Sequence, residues 1–255
     1  METEPAVSVA EADGPAAPTL LRTRDLVSGY GRQEILHGVD VDIPAGRITT
    51  IIGPNGSGKS TFLKTVAGLV PTWRGTTELE GTDVAGKPAH ALVRHGMCMV
   101  PQGRVVFPFL TVEENLRMCG YTVRPSSQVR ERIEQAYEFM PLLKERRDQL
   151  ANTLSGGEQV MLSIAKVIML RPRLLLLDEP SLGLSPKMIN MVYDKVQLLA
   201  EQGLTTMIVE QNVRKALSVA GHVVVLVLGK VRYQGGVERL EQEVDLGRLF
   251  VEGKG

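Results

Sequence analysis

After the first 18 residues, the chain contains two stretches in which apolar and polar residues alternate. They cover residues 20–27 and 34–43, and Pro44-Ala45-Gly46 then favours a turn. A period of two is typical of strands that bury one face. These stretches predict a small antiparallel sheet near the N-terminus, and residues 77–79 predict a further strand.

Later strands are predicted by uninterrupted apolar or β-branched runs. Such runs suit strands that are covered on both faces of a sheet. They lie at residues 47–52, 97–100, 174–177, 205–209 and 223–228. Stretches with helical character separate them, at residues 62–67, 160–170 and 186–202. Strands that alternate with helices predict an α/β fold, with a mostly parallel sheet and helices on its faces.

Charged residues at helical spacing distinguish residues 112–150, with Pro125 and Pro141 as breaks. This pattern predicts an α-helical insertion. Residues 1–18 are rich in Ala, Glu and Pro without periodicity, which predicts a disordered tail. We therefore expect one domain over residues 19–255. Its core would comprise 19–101 and 153–255, and its helical subdomain about 103–152.

Composition narrows the possible functions. The 255 residues carry a formal net charge of zero, which gives no general attraction to nucleic acid, and no nucleic-acid partner is expected. The two cysteines are not at a metal-ligand spacing. No apolar run approaches the roughly 20 residues of a bilayer span, and no secretory signal is evident. We expect a cytoplasmic protein whose membrane role, if any, depends on partners.

A glycine-rich segment follows the predicted strand 47–52 and precedes a predicted helix. It fits the phosphate-binding pattern G-x-x-x-x-G-K-[ST]. Backbone N–H groups of such a loop, together with the helix N-terminus, can surround one anion. Lys59 is expected to reach the outer phosphates, and Ser60 to bind Mg²⁺. The candidate nucleotide-binding residues are Gly53, Pro54, Asn55, Gly56, Ser57, Gly58, Lys59, Ser60 and Thr61.

Two carboxylates end the apolar strand 174–177. Ligands of open α/β sheets bind at the carboxyl ends of strands. Asp178 is assigned to the metal, because a carboxylate there can bind Mg²⁺ directly or through water. Glu179 is assigned as the catalytic group that orients or deprotonates the attacking water.

A second candidate anion site lies at Leu154-Ser155-Gly156-Gly157-Glu158. Ser155 and Glu158 have the spacing of a capping box at the start of a helix. A helix N-terminus that follows glycines also binds anions. Two phosphate-binding helix ends in one chain need not serve one nucleotide within that chain.

The order of these motifs strongly resembles the ATP-binding subunits of ABC transporters. The resemblance covers about residues 20–240 and depends most on Leu-Ser-Gly-Gly-Glu at residues 154–158. It implies a P-loop NTPase-like fold, the ligands ATP and Mg²⁺, and ATP hydrolysis by a head-to-tail dimer. Each ATP would lie between the glycine loop of one subunit and Ser155, Gly156, Gly157 and Glu158 of the other. It also implies that Tyr30 stacks on adenine and that Gln102 touches Mg²⁺.

Three stretches narrow the resemblance within the family. They are residues 100–104, 107–116 and 209–212, and they look like the second ATP-binding subunit of branched-chain amino acid importers. This implies a second ATP-binding subunit, two membrane permease subunits and, indirectly, a solute-binding protein. It also implies that this chain lies peripherally on the inner face of the cell membrane. Urea importers, single-cassette exporters and soluble ABC ATPases are the alternatives.

Two positions depart from the family pattern. Gln211 stands where most members have a histidine that contacts the γ-phosphate, and Ser185 replaces the usual aspartate. Gln211 is still assigned to the catalytic group with Lys59 and Glu179. Glutamine does not titrate near neutral pH, so we hypothesise that this chain's site is the slower of two unequal sites. The apolar segment 105–110 is interpreted either as core or as the contact with the permease.

Overall fold

The computed structural model describes residues 8–9, 18–103 and 105–243. The strands of this part are β1 (Ser8–Val9), β2 (Thr19–Tyr30), β3 (Gln33–Pro44), β4 (Ile48–Ile52), β5 (Thr72–Leu79), β6 (Thr82–Asp83), β7 (Met97–Val100), β8 (Leu174–Asp178), β9 (Thr205–Val209), β10 (His222–Val227) and β11 (Lys230–Gly235). The helices are α1 (Lys59–Val66), α2 (Ala89–Arg94), α3 (Val112–Cys119), α4 (Gln128–Phe139), α5 (Pro141–Glu145), α6 (Gly156–Ile168), α7 (Pro186–Glu201), α8 (Val213–Leu217) and α9 (Val237–Glu243).

The larger sheet has the order β1-β11-β10-β4-β9-β8-β7. Its neighbours from β10 to β7 are all parallel, whereas β10 and β11 pair antiparallel. Residues Leu174 to Leu177 of β8 are completely buried, because helices cover both faces of this sheet. The predicted α/β fold with a mostly parallel sheet is therefore confirmed.

The smaller sheet has the order β3-β2-β5-β6 and is antiparallel throughout. It confirms the N-terminal sheet predicted from the alternating pattern. Strand β5 begins at Thr72, where it pairs with Ser28, and so it is longer than the predicted 77–79. The first residues of β5 lack the alternation of buried and exposed positions that predicts a strand, since Trp73 and Arg74 are both exposed.

Helices α3, α4 and α5 lie in the stretch for which a helical insertion was predicted. Their apolar faces pack with α6 in one core cluster, which contains Leu116, Tyr137 and Leu143. The charged residues of α4 mostly face outward, as amphipathic helices require. Within the described part of the chain, none of the helices has the length and apolar character of a bilayer span.

The predicted disordered tail, residues 1–18, lies mostly outside the described residues. Where it is described, the structure differs from the expectation at one point. Ser8–Val9 forms a two-residue strand that pairs parallel with β11. Pairing with a distant strand fixes this segment, and such a partner leaves no signal in the local sequence.

His222, the first residue of β10, is expected to make the fold sensitive to acid. Burial lowers its pKa to about 4, and the nearby Arg47 acts in the same direction. An unfolded histidine titrates near pH ~6.5, so the unfolded chain takes up the proton first as the pH falls. The free energy of unfolding should decrease between about pH 6.5 and 4, by up to about 3 kcal/mol.

Thermal unfolding at pH 7.5 and pH 5 measures this effect. His222→Asn should lose less stability between the two pH values than the unsubstituted chain. His90→Asn is the matched control, because His90 is exposed. An equal loss in His222→Asn and the unsubstituted chain would contradict the assignment.

Candidate functional site

The predicted glycine loop connects the buried strand β4 to helix α1, which begins at Lys59 with Gly58 as its N-cap. The loop curls back on itself, since Ser57 N donates to Pro54 O at 3.2 Å. Gly53 passes so close to β10 that an added Cβ would lie 2.0 Å from Leu226 O. Only glycine fits there, and the loop is thereby held against the sheet above the N-terminus of α1.

The side chain of Lys59 extends from the start of α1 into the centre of this loop. Its side chain is buried, and Nζ donates to the carbonyl oxygens of Gly53 and Pro54 at 2.9 and 2.8 Å. Burial lowers its pKa, while the carboxylates of Glu179 and Asp178 act in the opposite direction. The loop thus places an ammonium group at the N-terminus of a helix, where both would attract a phosphate.

Asp178 and Ser60 meet at the end of β8. Ser60 Oγ donates to Asp178 Oδ1 at 2.9 Å, and Lys64 Nζ lies 3.9 Å from Oδ2. Oδ2 is buried and accepts no hydrogen bond from the described residues. Burial is the main cause of the raised pKa of Asp178. A hydroxyl beside a carboxylate oxygen that lacks a donor fits a hard cation such as Mg²⁺.

Glu179 lies directly after β8 and binds two glutamine side chains. Gln102 Nε2 donates to Oε2 at 2.8 Å, and Gln211 Nε2 donates to Oε1 at 2.6 Å. The backbone of Glu179 is in the left-handed region, at φ 49°, and its N–H donates to Val209 O at 2.9 Å. This strained conformation and the two amides fix the direction of the carboxylate. Three sequence-predicted site residues therefore meet, while the contact of Gln102 with Mg²⁺ stays a prediction.

Ser155 caps helix α6 as predicted. Its Oγ accepts from Glu158 N at 3.4 Å, and Glu158 Oε2 accepts from Ser155 N at 2.7 Å. The helix consequently begins at Gly156, earlier than the predicted residue 160. An added Cβ on Gly157 would lie 2.4 Å from the Met188 side chain, so the start of α7 packs tightly against this turn.

A cavity of about 290 Å³ lies over the glycine loop. It is lined by Ile35, Asn55, Gly56, Gly58, Lys59, Ser60, Thr61, Glu179 and Gln211. Ser155, Gly156 and Gly157 are not among these described lining residues. Gly156 instead lines a smaller cavity of about 80 Å³, together with Glu179 and Leu182. Within the described part of the chain, the capped end of α6 therefore does not line the cavity over the glycine loop, although Glu179 lines both cavities.

Tyr30 and Ile35 are two further residues of this region. Tyr30, at the end of β2, is 50% exposed and does not line the cavity, so its stacking on adenine stays a prediction. Ile35 lines the cavity but was not predicted. Its only signal was an apolar position in a half-buried strand, and such positions are common in sheets.

The apolar segment 105–110 is held at the surface. Phe109 is 80% exposed and Phe107 45% exposed, so the core interpretation is wrong for both. Asn115, on α3, is buried and fixes the segment: its Oδ1 accepts from Phe107 N at 2.8 Å, and its Nδ2 donates to Phe107 O at 3.0 Å and to Leu110 O at 3.2 Å. An exposed aromatic pair on a rigid support is a candidate contact surface.

A glycine loop beside two strand-end carboxylates, in a mostly parallel sheet with a helical insertion, is the arrangement of a class of nucleotide-binding proteins. Residues 36–182 match the family model described as ABC transporter. The chain belongs to this family and has the fold of its ATPase cassettes.

Curated relatives lie within the same family. The chain is 44% identical over 203 residues to BraG of Pseudomonas aeruginosa, a high-affinity branched-chain amino acid transport ATP-binding protein, and the match covers 79% of this chain and 86% of BraG. It is 41% identical over 226 residues to LivF of Archaeoglobus fulgidus, a probable branched-chain amino acid transport ATP-binding protein, and the match covers 88% of this chain and 95% of LivF. LptB of Escherichia coli, from a lipopolysaccharide export system, is 29% identical over 91% of this chain and 96% of LptB.

Solved structures show the same fold. MJ1267, an ATP-binding cassette of an ABC transporter in its ADP conformation, superposes with a TM-score of 0.81 at 26% identity. The match covers 92% of this chain and 99% of MJ1267.

Proposed function

We propose that this protein is the ATP-hydrolysing subunit of an ABC importer for branched-chain amino acids. The observation that carries the hydrolytic part is that Lys59, Ser60 and Glu179 line one cavity, with the Ser60 hydroxyl bonded to Asp178. The solute is proposed from the relatives, because the identity to the two branched-chain amino acid transport proteins exceeds that to the lipopolysaccharide export protein by more than ten percentage points.

In this proposal each residue of the site has one task. Lys59 binds the outer phosphates and neutralises charge that develops on them. Ser60 and Asp178 hold Mg²⁺, which would supply further positive charge at the phosphates. Glu179 accepts a hydrogen bond from the attacking water and takes up its proton. Gln102 and Gln211 orient the Glu179 carboxylate through the amide contacts described above.

The ATP site is proposed to be completed by a second subunit. The capped end of α6, with Ser155, Gly156 and Gly157, presents backbone N–H groups but does not line this chain's own phosphate cavity. A head-to-tail pair would bring that helix end to the nucleotide of the other chain. The partner is a second ATP-binding subunit or another copy of this chain.

Two permease subunits and, indirectly, a solute-binding protein complete the proposed importer. The ATPase would then lie peripherally on the inner face of the cell membrane. We propose that Phe107 and Phe109 contact a permease, because they are exposed apolar side chains on a backbone fixed by Asn115.

Phe109→Glu tests this contact. A charge in an apolar interface is costly, so solute uptake by the assembled transporter should fall at least about tenfold. ATP hydrolysis by the subunit alone and its melting temperature should stay unchanged, since Phe109 is 80% exposed. Leu69→Glu is the matched control at another exposed apolar residue. Unchanged uptake in Phe109→Glu would contradict the docking proposal.

The solute is tested by ATP-driven uptake in cells that depend on this transporter. Leucine, isoleucine and valine should be taken up, and deletion of the gene for this chain should abolish that uptake. Urea uptake that depends on this chain would favour the urea alternative instead.

A further inference from the structure

Glu210, directly after β9, is a buried carboxylate to which the mechanism above gives no task. It is only 1% exposed. Its Oε1 accepts from Ser181 N at 3.0 Å, and its Oε2 accepts from the N–H groups of Gln211 at 3.1 Å and Asn212 at 3.4 Å. Backbone N–H groups from two separate segments of the chain therefore converge on one side chain.

Both segments lead to Glu179. Ser181 lies two residues after it, and the Gln211 side chain donates to Glu179 Oε1 at 2.6 Å. The loop after β8 and the loop after β9 are thus joined twice: once through Glu210, and once through the amide of Gln211 on Glu179. Hydrogen bonds to a carboxylate are stronger than those between neutral groups, and they are strengthened further away from water.

The surroundings of Glu210 make this connection rigid. Tyr193, from α7, is buried beside it. The pKa of the Tyr193 phenol is raised, mainly by burial and secondly by the nearby Glu210 carboxylate. Lys215 Nζ lies 5.3 Å from the centre of the Tyr193 ring. Because Glu210 is buried and bonded to both loops, a shift of its carboxylate would move both loops.

We propose that Glu210 is a positioning residue for ATP hydrolysis. Its carboxylate fixes the loop that carries Glu179 against the loop that carries Gln211, so that the Gln211 amide stays on Glu179. Glu210 does not touch the phosphate cavity, and its effect passes through Gln211. The proposal deepens the proposed function, since it rests on hydrolysis at this site.

Glu210→Gln is the first test, in the full-length chain. It keeps the size of the side chain but replaces one acceptor oxygen by an NH₂ group that faces backbone N–H donors. We expect kcat for ATP hydrolysis to fall about tenfold or more, because one charge-assisted connection is lost. KM and the affinity for ATP should stay within about twofold, because the glycine loop and Lys59 do not contact Glu210. Glu201→Gln, on the exposed end of α7, is the matched control and should not change kcat.

A double-mutant cycle with Gln211→Ala separates positioning from a purely structural role. If Glu210 acts by holding the Gln211 amide in place, Glu210→Gln should have little further effect on kcat in a Gln211→Ala background. Additive losses, an unchanged kcat in Glu210→Gln, or a parallel loss of ATP affinity would each overturn the proposal.

The proposal can still be tested if Glu210→Gln does not fold. Gln211→Ala alone must lower kcat if its amide orients Glu179, and normal turnover by Gln211→Ala would also overturn the proposal. Absence of ATP turnover by the unsubstituted chain and by the assembled transporter would instead contradict the proposed function itself.

Discussion

Glu179→Gln is expected to bind ATP with unchanged affinity and to hydrolyse it at least about a hundredfold more slowly. The substitution keeps the shape of the side chain but removes the group that takes up the proton of the attacking water. In the unsubstituted chain the amides of Gln102 and Gln211 each donate to one oxygen of Glu179. The substituted side chain has a single acceptor oxygen for these two donors. The binding residues of the glycine loop are untouched, so the loss should appear in kcat and not in KM.

Steady-state hydrolysis and equilibrium ATP binding measure the two parts of this prediction. Glu138→Gln is the matched control, because Glu138 is exposed on α4. Turnover near the unsubstituted rate would remove Glu179 from the catalytic group. Loss of ATP affinity equal to the loss of rate would mean that Glu179 contributes to binding rather than to hydrolysis.

The same substitution tests the hypothesis of unequal sites. In the assembled transporter, Glu179→Gln should reduce solute uptake less than the corresponding change in a partner ATPase that has histidine in place of Gln211. Equal loss from either change would contradict the hypothesis. A homodimer of this chain that hydrolyses ATP at the rate of the assembled transporter would do so as well.

Lys59→Ala is expected to lower the affinity for ATP about a hundredfold, the usual scale for losing charge-assisted bonds to a phosphate. The substitution removes the ammonium group at the centre of the loop. In the unsubstituted chain Nζ donates to the carbonyl oxygens of Gly53 and Pro54, and the substitution removes that donor. Hydrolysis at low ATP should fall with the affinity.

Equilibrium binding of ATP with Mg²⁺, together with the melting temperature, measures this effect. Lys144→Ala is the matched control, since Lys144 is exposed and its ion pair with Glu134 lies at the surface. Affinity equal to that of the unsubstituted chain, in a folded Lys59→Ala variant, would mean that the glycine loop does not bind the outer phosphates.

The sequence by itself determined the elements that depend on neighbouring residues. Uninterrupted apolar runs such as 174–177 predicted buried strands, and the alternation at 20–27 and 34–43 predicted the antiparallel sheet. The glycine loop and the capping box of Ser155 and Glu158 were also predicted correctly. Each of these depends on residues a few positions apart, and periodicity and spacing record such relations directly.

Only the tertiary structure decided which distant residues meet. Gln102, Glu179 and Gln211 come from three loops at the ends of β7, β8 and β9, and the order of these strands in the sheet brings their side chains together. Nothing in the sequence indicated that Glu210 is buried and bonded to two loops, because a single glutamate after an apolar strand is a common pattern. The exposure of Phe109 and the pairing of β1 were likewise undetermined. An apolar or acidic residue looks the same in sequence whether its partner is solvent, a distant strand or another loop, because the contact is fixed by the packing of the whole chain.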